Sequence, residues 1–190
     1  MSRIEGPTME RKAVEWAAYL MAAGARTAPK ARGIDSILTA LINSKEDLEA
    51  LAKAMERQCQ QKKVKIESFL RDANNVRQSS AILLIGVKGT MPKKPELPLN
   101  CGACGYQTCN EFIRVSKKRG EDFVGPLCFF QALDLGIALG SAVKMAADLN
   151  IDNRMMFTIS GAAKDLGFLD ADAIIGIPLS VSGKNIFFDR

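Results

Sequence analysis

Apolar residues recur at three- and four-residue intervals between Thr8 and Gly24, placing Val14, Ala17, Ala18, Met21 and Ala22 on one helical face. Gly24 offers a stop, and the small and basic residues Ala25–Gly33 read as a loop. Ser44 followed by Asp47 predicts an N-cap for a second helix through Met55 and beyond, with Leu48, Leu51, Ala52 and Met55 inward. Glu67–Asn75 predicts another helical turn or two. Ala81–Val87 is continuously apolar and short, which predicts a strand buried on both faces. Met91–Asn100 carries Pro92, Pro95 and Pro98 and reads as an extended linker. Leu127–Leu149 is a long apolar helix, with Gly136, Ala138, Gly140, Ser141 and Ala142 forming a small-residue face for close packing. Ser160–Gly167 predicts a helix, and Ala171–Leu179 a second buried strand ending at Pro178. Helices flanking two buried strands point to an α+β fold, an α/β sandwich.

Composition narrows the chemistry. The chain of 190 residues has five cysteines and no histidine, which excludes Ser–His and Cys–His nucleophiles and His-ligated zinc or haem. The net charge is +5, with 17 Lys/Arg against 11 Asp/Glu in residues 1–100. Those charges are mixed and aromatic residues are few, so no nucleic-acid partner is expected, and a solvated helix face accounts for the basic half. Asp134 and Lys144 interrupt the most apolar stretch and Glu5 and Glu10 the N-terminus, so neither a membrane partner nor a signal segment is expected. The expected compartment is cytoplasmic, where five cysteines argue for metal ligation or redox work over disulfides.

Cys101, Cys104, Cys109 and Cys128 form the pattern C-x2-C-x4-C-x18-C. Three thiolates on a glycine-bearing loop can wrap one face of a cubane and a distant fourth can close it. Gly102 and Gly105 allow positive φ and close approach of amide N–H groups to sulfur. Structural zinc favours two paired C-x2-C knuckles, and only Cys101 and Cys104 form one. The spacing therefore favours a [4Fe–4S] cluster, with zinc and metal-free thiols as the alternatives. Cys59 has no cysteine neighbour and reads as a small core residue.

The stretch Leu97–Cys109, with Phe112 and Cys128, resembles the four-cysteine iron–sulfur module of the corrinoid iron–sulfur protein and of an Rnf-type electron-transfer subunit. That resemblance implies that Cys101, Cys104, Cys109 and Cys128 ligate one [4Fe–4S] cluster. Phe129 stands where the module usually has proline. Elsewhere, Ala25–Gly33, Asp134–Ala138 with Ala146–Ile151, and Ala173–Leu179 resemble the early loop, the dimer-interface helix and the last core strand of nitroreductase-fold flavoproteins. The combination is similar to a family described only as containing a ferredoxin domain. It implies a nitroreductase-like domain in two parts, residues 1–90 and 131–190, with an iron–sulfur insertion at 91–130.

The nitroreductase resemblance also implies FMN at a homodimer interface, drawing on Arg26, Lys30, Gly33, Ser160, Gly161 and Lys184. The physical requirement is a clamp of Arg/Lys and backbone N–H groups on the phosphate. The family's N-terminal Arg-x-Ser-x-Arg grip has no counterpart here; only Arg3, Arg11 and Lys12 precede the first helix's apolar face. Without it, Arg26 and Lys30 read as solvated loop charges and Ser160-Gly161 as a helix N-cap. Three functions follow: an iron–sulfur, FMN-containing oxidoreductase, a flavin-free ferredoxin-like electron carrier, or a zinc module. The apolar Leu127–Leu149 helix suits a homodimer, and the basic N-terminal half suits an acidic ferredoxin or flavodoxin. No G-x-G-x-x-G element or carboxylate pair marks a nicotinamide site or a substrate, and Asp134 reads as a polar or capping contact rather than a catalytic acid.

Overall fold

The structure is a computed structural model that describes residues 3–62 and 66–188. Helix α1 spans Gly6–Thr27 and buries Val14, Ala17, Ala18, Met21 and Ala25. It runs past Gly24, which serves packing rather than termination: a Cβ there would lie 3.4 Å from the Ser141 carbonyl oxygen. The helix ends where Pro29 forces Ala28 into an extended conformation, φ −53° and ψ 140°. A single 3-10 turn at Ala31–Gly33 follows, with Arg32 and Gly33 both at positive φ.

Strand β1 (Ile37–Ile42) comes next, a strand that the apolar pattern did not reveal. Helix α2 (Lys45–Gln61) is N-capped by Ser44, whose hydroxyl accepts the Asp47 N–H at 3.1 Å. Its buried stripe includes Leu48, Leu51, Ala52 and Met55 and ends on Cys59. Helix α3 (Ser68–Gln78) leads into strand β2 (Ala81–Val87), every residue of which is buried. Between β2 and the long helix α5 (Phe129–Asp148) lie a short helix α4 (Cys109–Arg114) and a two-residue hairpin, β3 (Lys118–Arg119) with β4 (Val124–Gly125). After α5 come β5 (Asp152–Asn153), α6 (Ser160–Asp165) and β6 (Ala173–Ser180).

The main sheet has the order β1-β2-β6-β5 with antiparallel neighbours throughout. Helices α1 and α5 pack on one face through Met21, Ala138, Leu139 and Ala142 against Leu83, Ile85, Ile177 and Leu179. Helices α2, α3 and α6 pack on the other through Leu51, Met55, Val76 and Ala163 against Ile82, Leu84 and Ile174. The architecture is α+β, a helix–sheet–helix sandwich. Burial on both faces explains why β2 is wholly apolar although its neighbours are antiparallel. Pro178 does not end β6. It falls in the gap between the Gly176–Met156 bridge and β5, where its missing N–H breaks no rung.

Helix α5 has the length and mean hydropathy of a membrane-crossing segment, 20 residues and 1.2. In this fold it is a core helix, with Leu135, Ala138, Leu139, Ala142 and Ala146 buried against α1 and the sheet. Its small-residue face is divided: Ala138 and Ala142 pack inward, whereas a Cβ at Gly136 or Gly140 would meet open space. The linker is anchored rather than loose, since Pro92 and Lys93 are buried.

Candidate functional site

The cysteine loop is shaped by its own polar groups. Asn100, Gly102 and Gly105 adopt positive φ, and the Gly105 N–H donates to the Gly102 carbonyl at 2.9 Å. The Asn100 side-chain oxygen accepts the Cys109 N–H at 2.8 Å, drawing the two ends of the loop together. Thr108 caps α4, accepting the Glu111 N–H at 3.1 Å, while the Glu111 carboxylate accepts the Gln107 N–H at 3.1 Å. Buried Phe112 pins α4 to the protein, with the Tyr106 ring 6.1 Å away. Cys128 occupies the N-cap of α5 and donates its N–H to the Gly89 carbonyl at 2.8 Å.

Cys101, Cys109 and Cys128 line one pocket together with Leu99, Phe130, Pro92, Arg32, Lys93 and Lys94. Cys101 is exposed, Cys109 half-buried and Cys128 buried; all are free thiols. Cys104 lies on the same loop outside that lining, half-buried, with the Lys117 ammonium acting on it electrostatically. Lys117 sits 3.6 Å over the Phe112 ring and donates to the Phe112 carbonyl. Burial lowers its pKa and the charge of Cys104 works the other way. Among the described residues no three Cys, Asp or Glu groups are close enough to hold a single metal ion. A cubane asks for a different arrangement, one thiolate per iron, so its four sulfurs spread around a box. An all-sulfur donor set with three members around one pocket and a cationic lining fits that demand.

The six residues considered for flavin fall in three places. Arg26 donates to Asp35 and, at 2.8 Å, to the Ile37 carbonyl. Lys30 is not a solvated loop charge: its side chain is 5% exposed and donates to the Ala25 and Arg26 carbonyls at 2.7 and 2.5 Å. Burial, opposed by Asp35, lowers its pKa. Gly33 completes the 3-10 turn beside them. Ser160 and Gly161 lie on the other side of the sheet. The Ser160 hydroxyl is buried, donating to the Asp122 carbonyl at 2.9 Å and accepting the Ile174 N–H, so it does not cap α6. Gly161 is walled in, since a Cβ would lie 2.8 Å from the Glu121 carbonyl oxygen. Lys184 is exposed and lines a third region, beside α3.

Residues 124–190 match the profile of a family described as "Uncharacterized protein containing a ferredoxin domain". Residues 98–115 match a second profile, "Putative Fe-S cluster", which spans Cys101, Cys104 and Cys109 and leaves Cys128 to the first. An uncharacterized protein of Archaeoglobus fulgidus is 48% identical over 181 residues, covering 95% of this chain and 94% of that protein. The chain belongs to this ferredoxin-domain family. Its fold is nitroreductase-like. A nitroreductase with bound FMN from Desulfitobacterium hafniense superposes with a TM-score of 0.58 at 12% identity, over 97% of this chain and 82% of that one. A BluB-like flavoprotein from Clostridium difficile 630 gives 0.57 at 15% identity, over 93% and 84%.

In this ferredoxin-domain protein a pocket that sequence reading missed gathers around Lys184. It is lined by Arg71, Asn75 and Gln78 of α3, by Arg154, and by Lys184–Phe188, with a volume of about 500 Å³ and no carboxylate in its lining. Asn185 shapes its floor, its side-chain oxygen accepting the Phe187 and Phe188 N–H groups at 2.8 and 3.1 Å. Arg154 donates to the Phe187 carbonyl at 3.1 Å and lies 5.0 Å from the Phe188 ring. Asn75 is 6% exposed and its side chain has no hydrogen-bond partner among the described residues. It lines the pocket, where its amide can donate to or accept from a ligand.

Proposed function

We propose that this protein is an iron–sulfur electron-transfer protein with a flavin site, a cytoplasmic homodimer that passes electrons between a [4Fe–4S] cluster and FMN. The observation that carries the reading is the convergence of Cys101, Cys109 and Cys128 on one pocket, with Cys104 on the same loop. When bound, the cluster supplies one-electron transfer and the flavin links it to two-electron chemistry. The chain's own residues set the conditions. The four thiolates would hold the iron, and Leu99 and Phe130 give the pocket its apolar wall. Arg32, Lys94 and Lys117 place positive charge around the sulfurs, which favours the more negative, reduced state.

For the flavin, Arg154 and Lys184 supply the phosphate contacts, beside Arg71, which the Asp72 carboxylate holds at 2.9 Å; Asn75 adds a side-chain donor or acceptor and Phe188 an apolar wall. Arg26, Lys30 and Ser160 are spent on internal contacts, which favours one competing reading, a flavin-free electron carrier. A homodimer is supported by the outer face of the α1/α5 layer, where Trp16, Leu20 and Leu133 are exposed, Trp16 by 67%. The five free thiols fit a reducing cytoplasm.

Anaerobic reductive titration of the cluster- and FMN-loaded chain tests the reading. Uptake of about three electrons per chain, one by iron–sulfur and two by flavin absorbance, is the expected result. Uptake of about one electron, with FMN passing freely through a desalting column, selects the flavin-free carrier.

A further inference from the structure

The exposed thiol of Cys101 marks where the cysteine pocket reaches the surface. Residues 91–119 contain six Lys/Arg and only two acidic residues, Glu96 and Glu111. Lys93 is committed to Asp134 and Arg119 to Asp165. Lys94, Arg114, Lys117 and Lys118 form no ion pair among the described residues, nor does Arg32, which reaches across the pocket to the Leu97 carbonyl at 2.5 Å. Glu111 is occupied by the Gln107 N–H, leaving Glu96 as the one exposed acid not engaged in shaping the loop. Exposed Leu99 lines the pocket with Arg32 and Lys94, exposed Leu97 is held by Arg32, and exposed Phe129 follows Cys128 in the chain. An apolar centre fringed by unpaired positive charge, directly over the point where a redox centre meets solvent, is built for brief encounters with a negatively charged protein.

We infer that this rim docks a small acidic electron-transfer protein, which exchanges electrons at the Cys101 edge of the pocket; the inference rests on the iron–sulfur reading above. In each encounter one electron leaves the partner's reduced centre, which is oxidised by one unit, and arrives on the thiolate-held cluster, which is reduced by one. No covalent bond forms or breaks. The commitment to an acidic protein follows from charge complementarity. A second copy of this chain would bring the same cations against each other.

The test uses the cluster-loaded chain and an acidic [2Fe–2S] ferredoxin reduced with dithionite, followed by stopped-flow absorbance. Iron and sulfide are assayed first. The second-order rate constant should fall about tenfold or more as salt rises from low to high, because steering of this kind is screened within about 8–10 Å. At low salt, Lys94→Glu and Arg114→Glu should each slow transfer several-fold and flatten the salt dependence. Lys144→Glu serves as a control, since it lies 16 residues beyond Cys128 on α5, about 24 Å along the axis. It should leave the rate within about twofold. If Lys94→Glu loses iron, Arg114→Glu and Lys118→Glu, which lie outside the pocket lining, carry the comparison. Transfer that ignores salt, or that Lys144→Glu slows as much as Arg114→Glu, overturns the docking face alone. A change of oligomeric state in Arg114→Glu also overturns it, marking the rim as a subunit contact. A chain without iron and sulfide overturns the iron–sulfur reading itself.

Discussion

Lys93 and Asp134 form a sealed ion pair, Nζ to Oδ2 at 2.5 Å, with side chains 2% and 1% exposed. The pair joins three segments, which Arg32 bonding the Leu97 carbonyl and Gln131 bonding the Met91 carbonyl also hold together. Lys93 belongs to the proline-rich linker and also donates to the Ile34 carbonyl at 2.8 Å. Asp134 lies on α5, six residues after Cys128, and also accepts the Ala31 N–H at 2.9 Å. Lys93 lines the cysteine pocket as well, so the pair fixes the linker that delivers Cys101 relative to the helix that carries Cys128.

Removing one partner leaves a buried charge without compensation. Lys93→Met should destabilise the protein by about 3–5 kcal/mol in urea unfolding, and Lys93→Met/Asp134→Leu should be less destabilised than either single variant. Single variants that unfold at the wild-type urea midpoint would show that the pair is open to water in solution.

Iron content separates the five cysteines. Cys101→Ala, Cys104→Ala, Cys109→Ala and Cys128→Ala should each lower iron per chain after anaerobic reconstitution. Cys59→Ala should leave it unchanged, because Cys59 is 5% exposed in the α2/α3 core and among the described residues its thiol hydrogen-bonds the Ile66 carbonyl, at 3.9 Å. Its cost belongs to packing, about 1–2 kcal/mol of stability.

Acid stability follows Asp35 and Asp165. Burial by itself would raise both carboxyls, but Arg26 with the Ile37 N–H outweighs it at Asp35, and Arg119 with Gln58 does so at Asp165. Both therefore titrate below the usual carboxylate range. A depressed folded pKa contributes stability that is present above the unfolded value of about 4 and is lost as pH falls through it toward the folded value. The side chains are 31% and 46% exposed, so each contributes under about 1 kcal/mol. Urea midpoints measured from pH 7 down to pH 3.5 should fall less steeply in Asp35→Asn/Asp165→Asn than in wild type.

The basic pocket separates binding from folding. Arg154→Glu and Lys184→Glu should each weaken FMN binding about tenfold to a hundredfold, the worth of a charge-assisted hydrogen bond to phosphate. Asn75→Leu should also weaken it while leaving the thermal midpoint near wild type, since Asn75 lines the open pocket and no side-chain hydrogen bond among the described residues is lost. Isothermal titration and thermal melts read the two effects separately.

What the sequence revealed depended on whether its signal was local. The β2 strand stands out because seven consecutive apolar residues are buried on both faces, and the cysteine motif because its ligands lie close together in the chain. Strand β1 was hidden because its interior residues are only half-buried on a sheet edge, with Thr39 breaking the apolar run. Gly24 read as a stop, yet it is small because α5 passes close by, a contact over one hundred residues away in sequence. Sequence separation also hid the Lys93–Asp134 pair inside what read as an extended linker. It hid the basic pocket too, whose Arg71, Arg154 and Lys184 are gathered from separate elements only by folding.

Iron and acid-labile sulfide analysis of the anaerobically purified chain decides whether Cys101, Cys104, Cys109 and Cys128 hold one cubane. About four iron and four sulfide per chain are expected, with a broad absorption band that dithionite bleaches. One zinc per chain without sulfide would contradict it.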